Sequence, residues 1–355
     1  MIKKHGGNVY KFAKEHQVNV EDIIDFSANI NPFGLSDVIK EAIPSMFEKV
    51  LNYPDPNYTD LKDVISSFEG IPEEQIILGN GAIECIFLLA EHLKAKHLII
   101  PVPTFVEYER AFSKYQTEIS YYKMSDMILD IDCLIESFSD QVDAVIICNP
   151  NNPTGALVER TALEKLLNYT KEHQIALIMD EAFIDFTDDE DKNTMKTYID
   201  SYSNLIILKS LTKFFAIPGL RLGYLMTGHK ELIESINNNR MPWSINSIAS
   251  QVGELVLKDD LYIQKTKEWI VKERQWLYNQ LSSIDGIYPY TSQGNYIFFK
   301  TDGSDLDKQL AKYSIMIRNC NNYEGLSEGY FRVAIKDRNS NLKLISCIKE
   351  ILWKS

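Results

Sequence analysis

Short runs of apolar residues alternate with helical patterns through the middle of the chain, from about residue 60 to residue 230. The runs are rich in β-branched residues, and they cover residues 76–78, 97–102, 144–148, 176–179 and 205–208. A helical pattern at 161–173 separates two of them. Such alternation is typical of an α/β protein in which a largely parallel sheet carries helices on both faces.

The pattern changes after about residue 230. Long helical stretches cover 245–257 and 263–281, and shorter strand-like runs follow at 295–300, 314–318 and 330–335. This order predicts a smaller α+β domain. The first fifty residues are rich in loop-forming residues, and we expect them to pack on the small domain as an arm. The sequence therefore predicts three parts, which are an arm over 1–50, a large domain over 51–235 and a small C-terminal domain over 236–355.

The composition is that of an ordinary soluble globular protein, with 45% hydrophobic and 25% charged residues. A formal net charge of −13 and the lack of a basic patch argue against binding to nucleic acid. The five cysteines are scattered, which predicts reduced thiols in a cytoplasmic protein and no metal site. We expect neither a secretory leader nor a membrane span, because no apolar stretch has the required length.

Polar residues directly follow three of the predicted strands. Residues 149–155 come after the run that ends at 148, Asp180 follows the next run, and Ser210 and Lys213 follow the third. Ligands of open parallel sheets bind beyond the carboxyl ends of the strands. We therefore expect the three clusters to share one site.

The third cluster offers a hydroxyl, an amine and a guanidinium, on Ser210, Lys213 and Arg221. This set suits a ligand with one anionic group and one electrophilic carbon. Pyridoxal phosphate (PLP) is such a ligand, since its aldehyde forms a Schiff base with a lysine and its phosphate binds hydroxyl and guanidinium donors. A solvated lysine is the simpler interpretation of an isolated Ser-x-x-Lys, but the neighbouring clusters favour a cofactor site.

The other two clusters offer groups that fit a pyridine ring. Asp180 can pair with the ring nitrogen, where a carboxylate keeps the ring protonated. Asn152 can donate its amide to the phenolic oxygen. Structural alternatives stay open for both residues, since Asp180 can cap a helix and Asn152 can form a turn with the proline that follows it.

A glycine-rich turn at residues 79–83 opens a predicted helix, and the free N–H groups of a helix start can hold a phosphate. The residues that we assign to this phosphate site are Gly81, Ala82, Ile83, Ser210 and Arg221. Phe105 follows another strand end, where its ring can stack on the pyridine face. A buried core phenylalanine is an equally open interpretation of Phe105.

Together these motifs match a known family in their order and spacing. The matching segments are Asn152-Pro153-Thr154-Gly155, Asp180-Glu181-Ala182, Ser210-x-x-Lys213 and Gly219-x-Arg221-x-Gly223. They resemble the fold-type I PLP-dependent enzymes of the aspartate aminotransferase (class I/II) superfamily, over nearly the whole chain. The resemblance implies that Lys213 is the catalytic residue that binds the cofactor covalently. It further implies that Asp180 pairs with the pyridine nitrogen, and that Ser210 and Arg221 hold the phosphate.

Within this superfamily, the chain is similar to the threonine-phosphate decarboxylases of cobalamin biosynthesis. The segments that carry this similarity lie at residues 5–8, 25–32, 180–186, 210–214, 241–244 and 317–320. Related aminotransferases carry a tyrosine where this chain has Phe183, and the missing hydroxyl fits the decarboxylase pattern. The similarity implies decarboxylation of O-phospho-L-threonine to (R)-1-amino-2-propanol O-phosphate and CO2. A histidinol-phosphate-type aminotransferase and a decarboxylase of O-phospho-L-serine are the alternatives.

The resemblance also supplies the expected substrate residues, which are His5, Asn31, Asn152, Arg318 and Arg332. Arg332 matches the superfamily arginine that binds the α-carboxylate, and Arg318 is assigned to the substrate phosphate. His5 and Asn31 are expected to close over that phosphate from the N-terminal arm. Tyr53 matches a tyrosine that reaches the cofactor phosphate of the neighbouring subunit, which implies a homodimer.

Overall fold

The fold is organised around a central sheet, as seen in a computed structural model that describes residues 6–353. The strands in these residues are, in chain order, β1 (Ile24–Asp25), β2 (Ile76–Asn80), β3 (His97–Val102), β4 (Glu118–Lys123), β5 (Ala144–Cys148), β6 (Ala176–Asp180), β7 (Leu205–Ser210), β8 (Leu222–Thr227), β9 (Ile287–Pro289), β10 (Tyr296–Thr301), β11 (Ile315–Met316), β12 (Arg318–Asn319) and β13 (Tyr330–Ala334). Seven of them form the central sheet in the order β2-β8-β7-β6-β5-β3-β4.

The central sheet is mixed but mostly parallel. The strands from β7 to β4 pair in parallel, whereas β8 runs antiparallel to both β7 and β2. Alternate residues of the middle strands enter two separate apolar layers, with Ile147, Met179 and Ile207 in one and Ile146, Ile178 and Ile206 in the other. The strands are therefore buried on both faces, which explains why they appear in the sequence as continuous apolar runs. The predicted α/β class is confirmed.

Some of the helices pack on this sheet and connect its strands, and others belong to the N-terminal and C-terminal parts of the chain. In chain order the helices are α1 (Val9–His16), α2 (Asp37–Glu48), α3 (Thr59–Glu69), α4 (Ala82–Leu93), α5 (Glu107–Ser113), α6 (Ile131–Glu136), α7 (Arg160–Glu172), α8 (Glu190–Asn193), α9 (Leu211–Phe214), α10 (Lys230–Asn239), α11 (Ser247–Val256), α12 (Asp260–Ser282), α13 (Leu306–Ala311) and α14 (Arg338–Trp353). In α7 the buried side chains are Leu163, Leu166, Leu167 and Thr170, the spacing of one helix face. Among the described residues, no helix combines the length and the apolar character that a membrane span requires.

A smaller antiparallel sheet, in the order β12-β13-β10-β9, lies in the C-terminal part of the chain. The strands expected at 295–300 and 330–335 correspond to β10 and β13, while the run at 314–318 is divided into β11 and β12. The N-terminal segment joins this region, because β1 pairs in parallel with β11 and the Phe26 carbonyl accepts a hydrogen bond from the Ala334 N–H at 2.8 Å. The domain boundaries at residues 50 and 235 stay a prediction.

The first fifty residues are more regular than their sequence predicted. They contain α1 and α2, where we expected mainly loops. Only Phe12 of α1, and Ile39 and Met46 of α2, are buried. The apolar residues of α2 at positions 38, 39, 42, 43, 46 and 47 do recur at helical spacing, so the signal was present in the sequence, but Pro44 inside α2 argued against a helix.

Candidate active site

Three strands end side by side at one edge of the central sheet. The register pairs Cys148 at the end of β5 with Asp180 at the end of β6, and Asp180 with Leu208 of β7. Ser210, the last residue of β7, lies opposite Gly223 of β8. The structure thus brings together the polar clusters that the sequence predicted to share a site.

Lys213 lies on α9, the one-turn helix that directly follows β7. Its Nζ donates to Ser210 Oγ at 2.9 Å and lies 5.4 Å from the centre of the Phe183 ring. Burial lowers the pKa of the Lys213 amine, and the attraction of Asp180 offsets this shift only in part. An amine with a lowered pKa loses its proton more readily, so Lys213 is suited to attack an electrophilic carbon.

Asp180 is buried, and both oxygens of its carboxylate accept hydrogen bonds. The Ala182 N–H donates to Oδ1 at 2.9 Å, and the Tyr108 hydroxyl donates to Oδ2 at 2.5 Å. Tyr108 was not among the predicted site residues. It lies in the first turn of α5, three residues after Phe105, and no local pattern links it to the distant Asp180. The two donors hold the plane of the Asp180 carboxylate at the edge of the sheet.

Gly81 and Arg221 approach each other closely at the start of α4. A Cβ atom at Gly81, whose φ is +76°, would lie 2.5 Å from Nη2 of Arg221, so only glycine permits this approach. A Cβ atom at Gly223 would lie 2.4 Å from the Ala82 nitrogen, which brings β8 and the neighbouring Ser210 against the same helix end. No side chain caps α4 at Gly81, so its first N–H groups, on Ala82 and Ile83, can bind an anion.

Arg318 and Arg332 lie directly opposite each other on β12 and β13 of the small sheet. The two side chains are 7% and 5% exposed. Within residues 6–353 neither arginine forms an ion pair with a carboxylate, and Nε of Arg332 has no hydrogen-bond partner. Two buried cations side by side repel each other and lack hydration. The pair therefore offers a strong site for anionic groups of a ligand.

Asn152 connects the arginine pair to the strand ends. Its Oδ1 accepts hydrogen bonds from Nη1 of Arg332 and, at 3.4 Å, from the Tyr323 hydroxyl. Nη2 of Arg332 donates to the Ser27 carbonyl at 2.9 Å. In the described part of the chain, the Asn152 Nδ2 group donates to no protein acceptor. It is therefore available to an oxygen of a ligand.

The position of Asn31 corrects its expected role at the substrate phosphate. Its side-chain amide donates to the Phe214 carbonyl at 2.9 Å and to the Thr266 hydroxyl at 2.8 Å. Its backbone N–H donates to the Lys213 carbonyl at 3.1 Å. Asn31 therefore fixes the turn that carries Lys213, and its amide is occupied by the protein. A polar residue on an arm has the same appearance in a sequence whether it contacts a ligand or the backbone.

The remaining predicted residues lie at different depths. Phe105 is partly buried and meets the Tyr108 ring edge-on, with 5.5 Å between the ring centres. Tyr53 is 81% exposed and its ring lies 4.8 Å from that of Trp243, so in the single chain it is a surface residue. His5 lies outside the described residues.

These groups fit the three polar parts of PLP. Lys213 is an amine for the aldehyde, and the uncapped start of α4 with Ser210 and Arg221 is a site for the phosphate. Asp180 is a buried carboxylate for the ring nitrogen. The fit rests on the chemistry of the donors and on the close approach of Arg221 to the start of α4 that Gly81 permits.

Comparison with known proteins gives the same assignment. Residues 21–348 match the family described as aminotransferase class I and II. The chain is 35% identical to the threonine-phosphate decarboxylase of Salmonella typhimurium over 352 residues, which cover 98% of this chain and 96% of the relative. Two solved structures have similar folds.

The histidinol-phosphate aminotransferase from Clostridium acetobutylicum is 34% identical, with a TM-score of 0.87, and the match covers 92% of this chain and 98% of that one. The L-threonine-O-3-phosphate decarboxylase from Porphyromonas gingivalis is 23% identical, with a TM-score of 0.83 and the same coverage, 92% and 98%. The chain therefore belongs to the aminotransferase class I and II family.

Proposed function

We propose that this protein is a PLP-dependent decarboxylase that converts O-phospho-L-threonine to (R)-1-amino-2-propanol O-phosphate and CO2. The observation that carries the proposal is the facing pair of buried arginines, Arg318 and Arg332, without carboxylate partners among the described residues. The full-length similarity to a threonine-phosphate decarboxylase supports the same conclusion.

The arginine pair favours a substrate with two anionic groups. O-Phospho-L-threonine has a carboxylate and a phosphate, which match one guanidinium each. Histidinol phosphate has a phosphate but no carboxylate, so in an aminotransferase the second guanidinium would bind a carboxylate of 2-oxoglutarate instead. The full-length similarity to a threonine-phosphate decarboxylase then favours the decarboxylase. Arg332 contacts Asn152 near the strand ends and is assigned to the carboxylate, whereas Arg318, which donates to Asn322 at 2.7 Å, is assigned to the phosphate.

When bound, PLP supplies an electron sink for the charge that develops at the substrate Cα. Asp180 would pair with the protonated ring nitrogen, and the Asn152 amide would donate to the phenolic oxygen. Ser210 orients Nζ of Lys213 through its 2.9 Å hydrogen bond. The lowered pKa of Lys213 lets this amine accept and return a proton, and we assign to it the delivery of the proton to Cα after CO2 has left.

The substrate phosphate must stay attached while negative charge is present at Cα. The charge of Arg318 would by itself stabilise the phosphate as a leaving group, so we assign Arg318 an orienting role, in which it would hold the C–O bond near the ring plane, where that bond overlaps poorly with the charge at Cα. The requirement on Arg332 is different. Strong binding of the substrate carboxylate by Arg332 would stabilise the ground state and slow the release of that carboxylate as CO2. The two Nη groups of Arg332 already donate to Asn152 and Ser27, which limits the hydrogen bonds that it gives to the substrate.

We further propose that the protein is a cytoplasmic homodimer. Tyr53 and Trp243 form an exposed aromatic pair, and we propose that Tyr53 reaches the cofactor phosphate of a second copy in a homodimer. The cysteines Cys85, Cys133, Cys148, Cys320 and Cys347 are free thiols, which is typical of a cytoplasmic enzyme.

A direct assay tests the reaction. The holoenzyme is incubated with O-phospho-L-threonine without any keto acid, and CO2 release is measured. We expect release, and we expect Arg318→Gln to raise KM for O-phospho-L-threonine far more than KM for unphosphorylated threonine. O-Phospho-L-serine, which lacks one methyl group, should be used about ten- to a hundredfold less efficiently.

The alternative is an aminotransferase of the histidinol-phosphate type, which the 34% identity to the Clostridium acetobutylicum enzyme favours. It predicts amino transfer from histidinol phosphate to 2-oxoglutarate and no CO2 from O-phospho-L-threonine. That result would overturn the proposed decarboxylase.

A further inference from the structure

Tyr108 lies outside every role assigned so far, yet it touches the buried acid of the site. It belongs to α5, its side chain is fully buried, and its hydroxyl donates to Asp180 Oδ2 at 2.5 Å. The bond joins residues that are far apart in the chain. It is therefore a tertiary contact specific to this site.

The bond determines which acceptor positions of Asp180 remain for a ligand. Each carboxylate oxygen can accept about two hydrogen bonds. The Ala182 N–H uses one position on Oδ1 and Tyr108 uses one on Oδ2. Because the carboxylate is held at both oxygens, it cannot rotate freely, and its open positions keep a fixed direction.

Tyr108 always acts as the donor in this bond. Burial and the negative charge of Asp180 raise the pKa of the Tyr108 phenol well above its usual value of 10. The neighbouring Cys148 thiol also stays protonated, since burial raises its pKa to about 12. The charge of this group of side chains therefore resides on Asp180, and Tyr108 stabilises it.

Tyr108 also contacts the residue assigned to the ring face. Its ring meets Phe105 edge-on, at 80° and 5.5 Å between centres. One side chain thus touches both the residue predicted to stack on the cofactor and the acid predicted to pair with its nitrogen.

We propose that Tyr108 is a positioning residue that directs the Asp180 carboxylate at the ring nitrogen of the bound cofactor, an inference that rests on the PLP site of the proposed function. Through this hydrogen bond, Tyr108 strengthens binding of a ring that has a nitrogen at that position. It contributes nothing specific to a ring that has a carbon there.

The test compares two ligands that differ only at that atom, PLP and 1-deazapyridoxal 5′-phosphate, in which a C–H group replaces the ring nitrogen. Their affinities for the wild-type and Tyr108→Phe apoenzymes are measured by tryptophan fluorescence. We expect Tyr108→Phe to weaken PLP binding by up to about tenfold, because the Asp180 carboxylate is then no longer held in place before the cofactor binds and must be ordered on binding. Binding of the deaza compound should change less than twofold.

Tyr224→Phe is the matched control. Tyr224 is also fully buried, and its hydroxyl donates at 2.5 Å to a carboxylate, but that carboxylate belongs to Glu69. This variant should leave the ratio of the two affinities unchanged. In addition, Tyr108→Phe should have no further effect on the ratio when Asp180 is already replaced by Asn, because the two residues act as one unit.

Equal losses for both ligands in Tyr108→Phe would overturn the inference, as would an unchanged affinity for PLP. Additive effects in the Tyr108→Phe/Asp180→Asn double variant would overturn it as well. The binding ratio does not depend on CO2 release. An enzyme that fails to decarboxylate but shows the expected ratio therefore disproves the proposed reaction and leaves the role of Tyr108 standing.

Discussion

Lys209 and Lys213 lie four residues apart in the chain, and both are largely buried. The pKa values of their amines are nevertheless shifted in opposite directions. The pKa of Lys209 is raised well above its usual value, whereas the pKa of Lys213 is lowered. Burial favours the neutral amine in both cases. The difference therefore comes from the partners that each Nζ atom meets.

Lys209 is surrounded by carboxylates. Its Nζ lies 2.7 Å from Asp185, 3.1 Å from Glu190 and 3.7 Å from Glu69. Lys196 also binds Glu69, at 2.8 Å. We call Glu69, Asp185, Glu190, Lys196 and Lys209 the buried charge cluster. In this cluster the attraction of several acids exceeds the cost of burial, so the Lys209 amine keeps its proton.

Lys213 has no such surroundings. The hydroxyl of Ser210 and the face of Phe183 are its nearest partners, and Asp180 is the largest of the attractions that oppose the effect of burial. An amine that is neutral for part of the time can form a covalent bond, whereas a fully protonated one cannot. The comparison teaches that the number of nearby acids, and not burial, separates a structural lysine from a reactive one.

The largest expected effect is the loss of activity in Lys213→Ala. Because this variant removes both the amine that binds the cofactor and the proton carrier, we expect CO2 release to fall by at least about 10⁴-fold. The thermal midpoint of the apoenzyme should stay within a few degrees of that of the wild type, since Lys213 lacks a close carboxylate partner. Residual activity above about 1% would contradict the assignment.

Lys209→Met should instead act on stability. It leaves Glu69, Asp185 and Glu190 without their shared cation, and removing one partner of a buried ion pair costs about 3–5 kcal/mol. Urea unfolding of the apoenzyme measures this loss. The double variant Lys209→Met/Glu190→Gln removes an acid whose pKa is lowered and which therefore stays ionised, and it should recover part of the loss. A cost below about 1 kcal/mol would show that the cluster is well hydrated.

The sequence pointed to Lys213 but not to Lys209. Local spacing alone is typical of a solvated lysine, and Lys213 became a candidate because polar clusters follow the neighbouring strands and a glycine-bracketed arginine follows Lys213. The partners of Lys209 come from residues 69, 185 and 190, on three separate elements, and no local pattern connects them. The same reason explains why Tyr108 was missed and Asn31 misassigned, because each depends on a contact with a distant part of the chain.

The fold, too, could be predicted from the sequence only in part. Strands buried on both faces gave clear apolar runs, and the α/β class could be predicted from them. The direction of β8 could not, because parallel and antiparallel neighbours bury the same residues. Its antiparallel pairing with β2 and β7 depends on how the chain returns after Lys213.

The third prediction concerns the pH dependence of stability. Burial and the charge of Glu190 outweigh the attraction of Lys209 and raise the pKa of Asp185 to about 7, and burial raises the pKa of Glu181 to about 7 as well. Between about pH 4 and 7 the folded protein keeps protons that the unfolded chain has released. The free energy of unfolding should therefore fall as pH rises through this window, by at most about 1.4 kcal/mol per pH unit for each group.

Asp185→Asn removes one of these two groups, so we expect the slope between pH 5 and 7 to become about half as steep. The measurement is a series of urea unfolding curves of the apoenzyme at fixed ionic strength. An unchanged slope would mean that Asp185 is ionised throughout the window, and the charge cluster would then hold one more negative charge than we infer.

The smallest effect is expected at the outer edge of the buried charge cluster. Lys267 on α12 pairs with Glu190 at 2.9 Å, but its side chain is 41% exposed. A solvated ion pair contributes about 0–1 kcal/mol, and Glu190 keeps its contact with Lys209 when Lys267 is replaced. Lys267→Met should therefore cost less than about 1 kcal/mol, and 0.5 M salt should reduce that cost further.

Lys272→Met, at an exposed position on the same helix, is the matched control and should be nearly neutral. If Lys267→Met instead destabilised the protein as much as Lys209→Met, exposure would not distinguish the two lysines. The buried charge cluster and Lys267 would then contribute to the free energy of unfolding as one cooperative network. Glu190, which contacts both amines, would be the residue that couples them.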